Sequence, residues 1–348
     1  MFRIRDYSID DACELDEFIE SHPNGLLYYS AKYRKFLIEI TGAKSIYKVA
    51  ISSDGSIVGV LPIMSMEGPY GSVLNALPFF GSYGCPLAVN KEAHDSLVED
   101  WNKMVKQKGI ASATMIANPL APDLISGVEF NAQDYRYSQF TALPKDGDIE
   151  GEILEMVDDT ARRNIKRAIK EDIEVIEDSN QLPFLEKVHR LNMKTINGLP
   201  KPSKFFGAID TCFRQGDDWR LYVALKEGEP VAAVLLLYAN HVVEYFTPAI
   251  TDEGRKSQAT ALILLKAMTE AAKIGYSKWN WGGTWPDQEG VLRFKRKWGA
   301  EKNAYTYHTY IANNDLLKTT PKQLMEAYPQ FYVLPFKLSG IQGKLEGR

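Results

Sequence analysis

The chain is poor in cysteine: Cys13, Cys85 and Cys212 are the only three in 348 residues. Odd in number and far apart, they exclude a disulfide framework and the paired spacing of a zinc site. The five histidines, at 22, 94, 189, 241 and 308, form no ligand motif, so no metal is expected. Long apolar runs are also missing. The longest uncharged, mainly apolar run in a strand-like context is Val231 to Ala239, too short to cross a bilayer. The N-terminal stretch MFRIRDYSIDDACELDEF is acidic and has no apolar signal core, which sets the expectation of a cytoplasmic protein with no membrane span. Finally, there is no excess of positive charge. A net charge of -4 argues against a general nucleic-acid-coating surface and disfavours an RNA-binding protein. Any phosphate binding must come from local clusters.

What remains is ordinary globular composition, with 45% hydrophobic and 25% charged residues. The length suggests two domains. The polar run Pro144 to Glu150 reads as a linker, giving expected domains of 1–150 and 151–348. In the first half, Ile4 to Ile19 reads as a strand followed by a helix. Tyr29, Tyr33, Phe36 and Leu37 then recur at helical spacing, with Lys35 off that stripe and a candidate for substrate binding. Asp54-Gly55 between two apolar runs marks a hairpin. Pro78 to Pro86 is a loop rich in glycine and aromatics. A helix over Glu92 to Gln107, stopped by Gly109, leads to a strand over Ala111 to Ala117, and Arg136 to Leu143 reads as another strand.

The second half opens on a helix over Ile153 to Lys170. Ile165, Ala168 and Ile169 form its apolar stripe, while Arg163, Lys166, Arg167 and Lys170 share one face. Like charges at such spacings repel, and a phosphate-bearing partner at Arg163 and Lys166 would relieve this. After a second helix, Leu182 to Asn197, three strands form a meander from Leu221 to Phe246. A helix over Ala259 to Lys273, a stop at Gly275 and a strand at Lys278 follow. Both halves thus run hairpin, irregular loop, helix, glycine stop, strand, as a duplicated domain would.

The most distinctive stretch is Lys278 to Glu301, KWNWGGTWPDQEGVLRFKRKWGAE. It holds four of the six tryptophans and opens as an aromatic strand broken at Gly282-Gly283. It closes on Arg293-Phe294-Lys295-Arg296-Lys297-Trp298. Core packing explains the aromatics but not the cations. Together they suit a pocket floored by rings, with cations facing an anionic ligand; a surface helix with solvated charges would look the same in sequence.

A meander, then a helix crossing to a strand, is the element order of the GNAT superfamily of N-acyltransferases. The segment Phe294-Lys295-Arg296-Lys297-Trp298-Gly299, after its Trp-Gly-Gly strand end, resembles the closing motif of Fem-type transferases. So does Arg163-Asn164-Ile165-Lys166-Arg167-Ala168. The resemblance implies an α/β (α+β) fold of two tandem GNAT-like domains, each a mixed, largely antiparallel sheet flanked by helices. It implies a transferase moving an acyl or aminoacyl group to an amine of a cell-wall or surface-glycan precursor. No bound cofactor is expected, only a co-substrate, acyl-CoA or aminoacyl-tRNA. Partners would be a small-molecule or sugar-nucleotide acceptor, with tRNA a further candidate. One departure weakens the tRNA donor: Gln181 to Trp219 is too short for the coiled-coil arm of the Fem-type enzymes. The turn Asp252 to Ala259, where a GNAT cradles pyrophosphate on backbone N–H groups, has one glycine and two cations and is degenerate.

By the same resemblance Lys295 serves the donor and the tetrahedral intermediate, and Phe294 shapes the pocket. Glu244 is the candidate base and its neighbour Tyr245, on the opposite sheet face, a candidate substrate contact. Trp281, Arg293 and Arg296 complete the expected binding residues. The rival reading is a non-catalytic GNAT-like module binding an anionic glycan or nucleotide. A deep groove reaching Phe294 and Lys295 would favour the enzyme.

Overall fold

The structure, a computed structural model, describes residues 2–78 and 83–340. The chain forms two compact α/β units: residues up to Arg136 together with those from Ala304 on, and Tyr137–Asn303.

The first unit begins with β1 (Arg3–Asp6), α1 (Ala12–Ser21) and α2 (Ala31–Thr41). Ser30 caps α2 by accepting from Tyr33 N, and Tyr33, Phe36, Leu37 and Ile40 are buried on one face. Short strands follow: β2 (Lys44–Ser45), β3 (Lys48–Ile51), β4 (Ile57–Leu61), β5 (Ile63–Gly68), β6 (Gly71–Ala76) and β7 (Leu87–Ala88). The expected hairpin is β3 and β4, paired antiparallel about Asp54-Gly55. In the glycine- and aromatic-rich loop before β7, Phe79 to Ser82 lie outside the described residues. Helix α3 (Lys91–Met104) then crosses to β8 (Ile110–Ile116), which runs parallel to β6.

The chain passes into the second unit along β9 (Ala132–Ala142). The expected single helix over 153–170 is two, α4 (Ile149–Met156) and α5 (Asp159–Lys170). Val157 is extended, and Asp158 caps α5 by accepting from Ala161 N. Arg162 turns back and donates to Leu154 O (2.8 Å) and Val157 O (2.6 Å), satisfying carbonyls at the end of α4. On α5, Ala161, Ile165 and Ala168 are buried as a stripe should be, but Ile169 is 57% exposed. Next come β10 (Glu174–Glu177), α6 (Leu182–Thr195) and α7 (Ser203–Cys212). The expected meander is β11 (Trp219–Lys226), β12 (Glu229–Ala239) and β13 (Val242–Ile250), antiparallel throughout. Short α8 (Asp252–Ser257) and buried, Ala- and Leu-rich α9 (Ala259–Lys273) cross to β14 (Lys278–Thr284), parallel to β13. The order within this unit is β10-β11-β12-β13-β14-β9. Helix α10 (Glu289–Arg296) follows β14. The chain then returns to the first unit along β15 (Glu301–Ile311) and ends in α11 (Pro321–Ala327).

In each unit a helix links two parallel strands, and an antiparallel strand borders the second of them: β15 beside β8, and β9 beside β14. This exchange moves the domain limits from those expected. A contiguous 1–150 lacks β15, and the division falls at Arg136/Tyr137 and Asn303/Ala304 rather than at 150.

Candidate active site

The site lies where β13 and β14 part. They are paired only at Val242–Lys278, Val243–Trp279 and Glu244–Asn280. Beyond that point β13 carries a bulge: Leu235 faces Thr247 and Leu236 faces Tyr245, so Phe246 is the extra residue.

A hydrogen-bond chain closes the apex. Asn280 Nδ2 donates to Glu244 Oε2 (2.7 Å), and Gly282 N donates to Asn280 Oδ1 (2.9 Å). Lys295 Nζ, reaching from α10, donates to Gly282 O (3.0 Å) and Thr284 Oγ1 (2.6 Å). Gly282 turns at φ 72°, in the left-handed region, which brings its carbonyl to the ammonium. Glu244, Asn280, Thr284 and Lys295 are all buried. The two expected catalytic groups, Glu244 and Lys295, are therefore linked through Asn280 and the backbone of Gly282. Burial lowers the Lys295 pKa to about 7. No carboxylate pairs with its ammonium among the described residues. An ammonium has three N–H donors and two are engaged here, so the charged form offers one more to a developing oxyanion. The neutral amine offers a lone pair instead.

Beside this chain lies a cleft of about 490 Å³. Tyr245, Pro248 and Ile250 of β13 form one side, and Phe294, Lys297 and Trp298 another. Asn164 of α5, Arg255, and Gln258 and Thr260 at the start of α9 complete it. Trp281 packs on Tyr245 (5.0 Å between centroids) and edge-on to Phe294 (5.9 Å). Its Nε1 donates to Thr141 Oγ1 (2.9 Å), and that hydroxyl donates to Trp298 O (2.8 Å), tying the end of α10 to β9. Asp158 N donates to Lys297 O (2.9 Å), tying it to α5 as well. Burial raises the Tyr245 phenol, keeping it protonated. The cleft reaches Phe294; Lys295 is not among its lining residues.

The turn before α9 is not an irregular glycine-rich loop. It is the helix α8, capped by Thr251: Gly254 N donates to Thr251 Oγ1 (3.1 Å) and Arg255 N to Thr251 O (3.0 Å). Gly254 is required by packing, since a Cβ there would lie 2.4 Å from Val231 O. A phosphate-bearing donor in the cleft would meet the side chains of Arg255, Gln258 and Lys297 together with the start of α9, which has no side-chain cap.

The other expected residues are dispersed. Arg163 and Lys166 are exposed on α5 and do not line the cleft, although Ala161 and Asn164 of the same helix do. Arg293 and Arg296 line a different pocket, of about 310 Å³. Lys35 is exposed on α2, in the other unit. Sequence reasoning missed Asn280 and Thr284, although the aromatic strand that holds them was marked. It also missed Lys201, which is buried beside the β13 bulge. Lys201 Nζ donates to Phe246 O (2.8 Å) and Thr247 Oγ1 (2.5 Å) and lies 4.3 Å from the Phe205 ring centroid. Burial lowers its pKa to about 7 as well. The prolines flanking it, Pro200 and Pro202, were its only local signal.

Residues 158–296 match the family described as acetyltransferase (GNAT) domain, a range that includes Lys295 and the cleft-lining residues other than Lys297 and Trp298. The chain as a whole has the fold of FemX, with a TM-score of 0.70 at 16% identity over 91% of this chain and 99% of that one. The C-terminal domain of a candidate lysylphosphatidylglycerol synthetase from Agrobacterium fabrum is similar at 11% identity (TM-score 0.56; 88% of this chain, 93% of that one). L-PGS from Bacillus licheniformis is similar at 12% identity (TM-score 0.51; 80% and 91%). No curated protein matches in sequence. The likeness to Fem-type GNAT transferases read from two motifs thus holds in domain and in fold. No group of three or more metal-ligating side chains occurs among the described residues, and no described helix is long and apolar enough to cross a membrane.

Proposed function

We propose that this protein is an N-acyltransferase. It moves an acyl or aminoacyl group from an activated donor, acyl-CoA or aminoacyl-tRNA, to an amine of a cell-wall or surface-glycan precursor. The observation that carries the reading is the cleft beside the parting strands, walled by Tyr245, Phe294 and Trp298 and flanked by the buried Lys295. In this reading the donor's acyl group lies against the rings. Arg255 and Lys297 meet its phosphates. The amine attacks the carbonyl, Lys295 in its charged form stabilises the oxyanion, Glu244 receives the amine's proton through water, and collapse of the intermediate breaks the bond to the donor's sulfur or ribose oxygen, which takes up a proton as it leaves. Lys295 must reach the reacting carbonyl past Phe294, a side chain 37% exposed.

The test is a transfer assay with the purified chain, run separately with acyl-CoA and with aminoacyl-tRNA, against a mixture of amino-sugar and peptide amines. Products are read by mass spectrometry. An acylated amine with either donor supports the reading and names the donor. Binding of donors or glycans with no transfer product would instead support the non-catalytic module.

A further inference from the structure

Helix α10 faces two pockets. Phe294 lies on the side of the donor cleft, whereas Glu289, Leu292, Arg293 and Arg296, at helical spacing, line a second pocket of about 310 Å³. Lys302 at the start of β15 and Gln139 of β9 also line it. Arg293 and Arg296 repel each other on one helix face. None of Arg293, Arg296 and Lys302 has a carboxylate at ion-pair distance among the described residues. Lys302 is held 4.1 Å from the Tyr137 ring centroid, which orients its charge without neutralising it. Three cations against the single carboxylate of Glu289 leave the pocket a net charge of +2.

Gln139 makes this more than a patch of solvated cations. It is 1% exposed, its Nε2 donates to Leu292 O (3.2 Å), and its Oε1 is buried with no hydrogen-bond partner. Most buried polar atoms are paired, and an orphan acceptor at the wall of a pocket points to a donor that arrives with a ligand.

We infer that this pocket binds a small hydroxylated phosphate monoester, of the sugar phosphate class. The doubly charged phosphoryl group matches the net charge, and guanidinium forks match its oxygens. A hydroxyl of the organic part donates to Gln139 Oε1. Leu292 and Ala300 supply the apolar wall. The volume is at the lower end for small-molecule sites, as a monosaccharide phosphate needs. The inference stands whether or not the chain transfers acyl groups, because binding is measured without a donor.

The experiment is isothermal titration calorimetry on the full chain at low salt, with glucose 1-phosphate, inorganic phosphate and glucose as probes. Glucose 1-phosphate is expected to bind best and glucose not at all. Arg293→Gln and Arg296→Gln should each weaken glucose 1-phosphate at least tenfold, whereas Lys273→Gln, an exposed cation elsewhere in the same unit, should not change it. Gln139→Leu should weaken glucose 1-phosphate several-fold and leave inorganic phosphate as it was. Far-ultraviolet circular dichroism of each variant separates lost binding from lost folding, and Gln139→Met, which keeps the length without the acceptor or a charge, is the substitute should the leucine variant unfold. The inference is overturned if glucose 1-phosphate does not bind at millimolar concentration. It is also overturned if Lys273→Gln weakens binding as much as Arg293→Gln, or if a short single-stranded RNA binds more tightly through the same arginines.

Discussion

Asn280 donates to Glu244 across 2.7 Å at the last residue pair that β13 and β14 share. Its two amide ends are fixed by their partners: the NH2 must face the carboxylate and the carbonyl must face Gly282 N. Replacing Asn280 by leucine removes one hydrogen bond from a buried carboxylate and one from a backbone N–H at once. The loss should be about 2–4 kcal/mol, the range for charged and buried hydrogen bonds. Urea denaturation measures it. A variant as stable as the parent would show that the apex chain does not hold the strands.

Lys295 should make stability depend on pH. Its folded pKa, about 7, lies below the ordinary 10.5. Between these values the unfolded chain binds the extra proton, so stability rises with pH through the window and is lost as pH falls through about 7. The slope is about 1.4 kcal/mol per pH unit for each such group. Lys201 adds a second in the same window. The Lys295→Met variant should therefore show a shallower rise from pH 7 to 9 than the parent. Equal slopes would mean that Lys295 keeps its ordinary pKa.

The same proton decides the chemistry. If the cation stabilises the oxyanion, kcat falls as pH climbs past about 7, and Lys295→Met lowers kcat by roughly 10²–10³ with KM nearly unchanged. A kcat that rises through this pH would assign the neutral amine as a base. An unchanged kcat in Lys295→Met would end the catalytic assignment.

Thr284→Val tests how the ammonium is positioned. The hydroxyl accepts from Lys295 Nζ at 2.6 Å, and valine keeps the shape but removes the acceptor. Losing a bond to the charged form should move the pH above which activity is lost further down, while Thr284→Ser should restore it. A pH profile identical in all three proteins would remove Thr284 from the site.

Donor binding should be selective among the cations. Arg255→Ala and Lys297→Ala remove cleft-lining charges and should raise KM for a phosphate-bearing donor about tenfold, on the 1.5–3 kcal/mol scale of charge-assisted contacts. Arg163→Ala, exposed and off the cleft, should leave it within about twofold. Equal effects from all three would mean diffuse attraction along α5 and α10.

Much of this was legible in the sequence. The meander, α9 and the aromatic strand β14 follow from local periodicity and glycine stops, and the Phe294-Lys295 pair from one motif. Two things were not. The break at Val157 depends on Arg162 reaching back to the carbonyls of α4, a contact that an unbroken helical pattern conceals. Asn280 and Thr284 matter because a parallel strand and α10 converge on them, and no spacing along the chain records that convergence. The cations misled for a related reason: residues adjacent on α10, Phe294 and Arg293, face different pockets.

The exchanged strand also sets an order of assembly on the ribosome. The second unit is a continuous stretch, Tyr137–Asn303, and its ends meet where Ser138 Oγ donates to Asn303 O (3.2 Å). It can close as soon as it has emerged. The first unit, although its first 136 residues are made earlier, must wait with one edge of β8 uncovered until β15 arrives. An open strand edge invites pairing with other chains, so truncation after Asn303 should leave an aggregating product even though the second unit is complete.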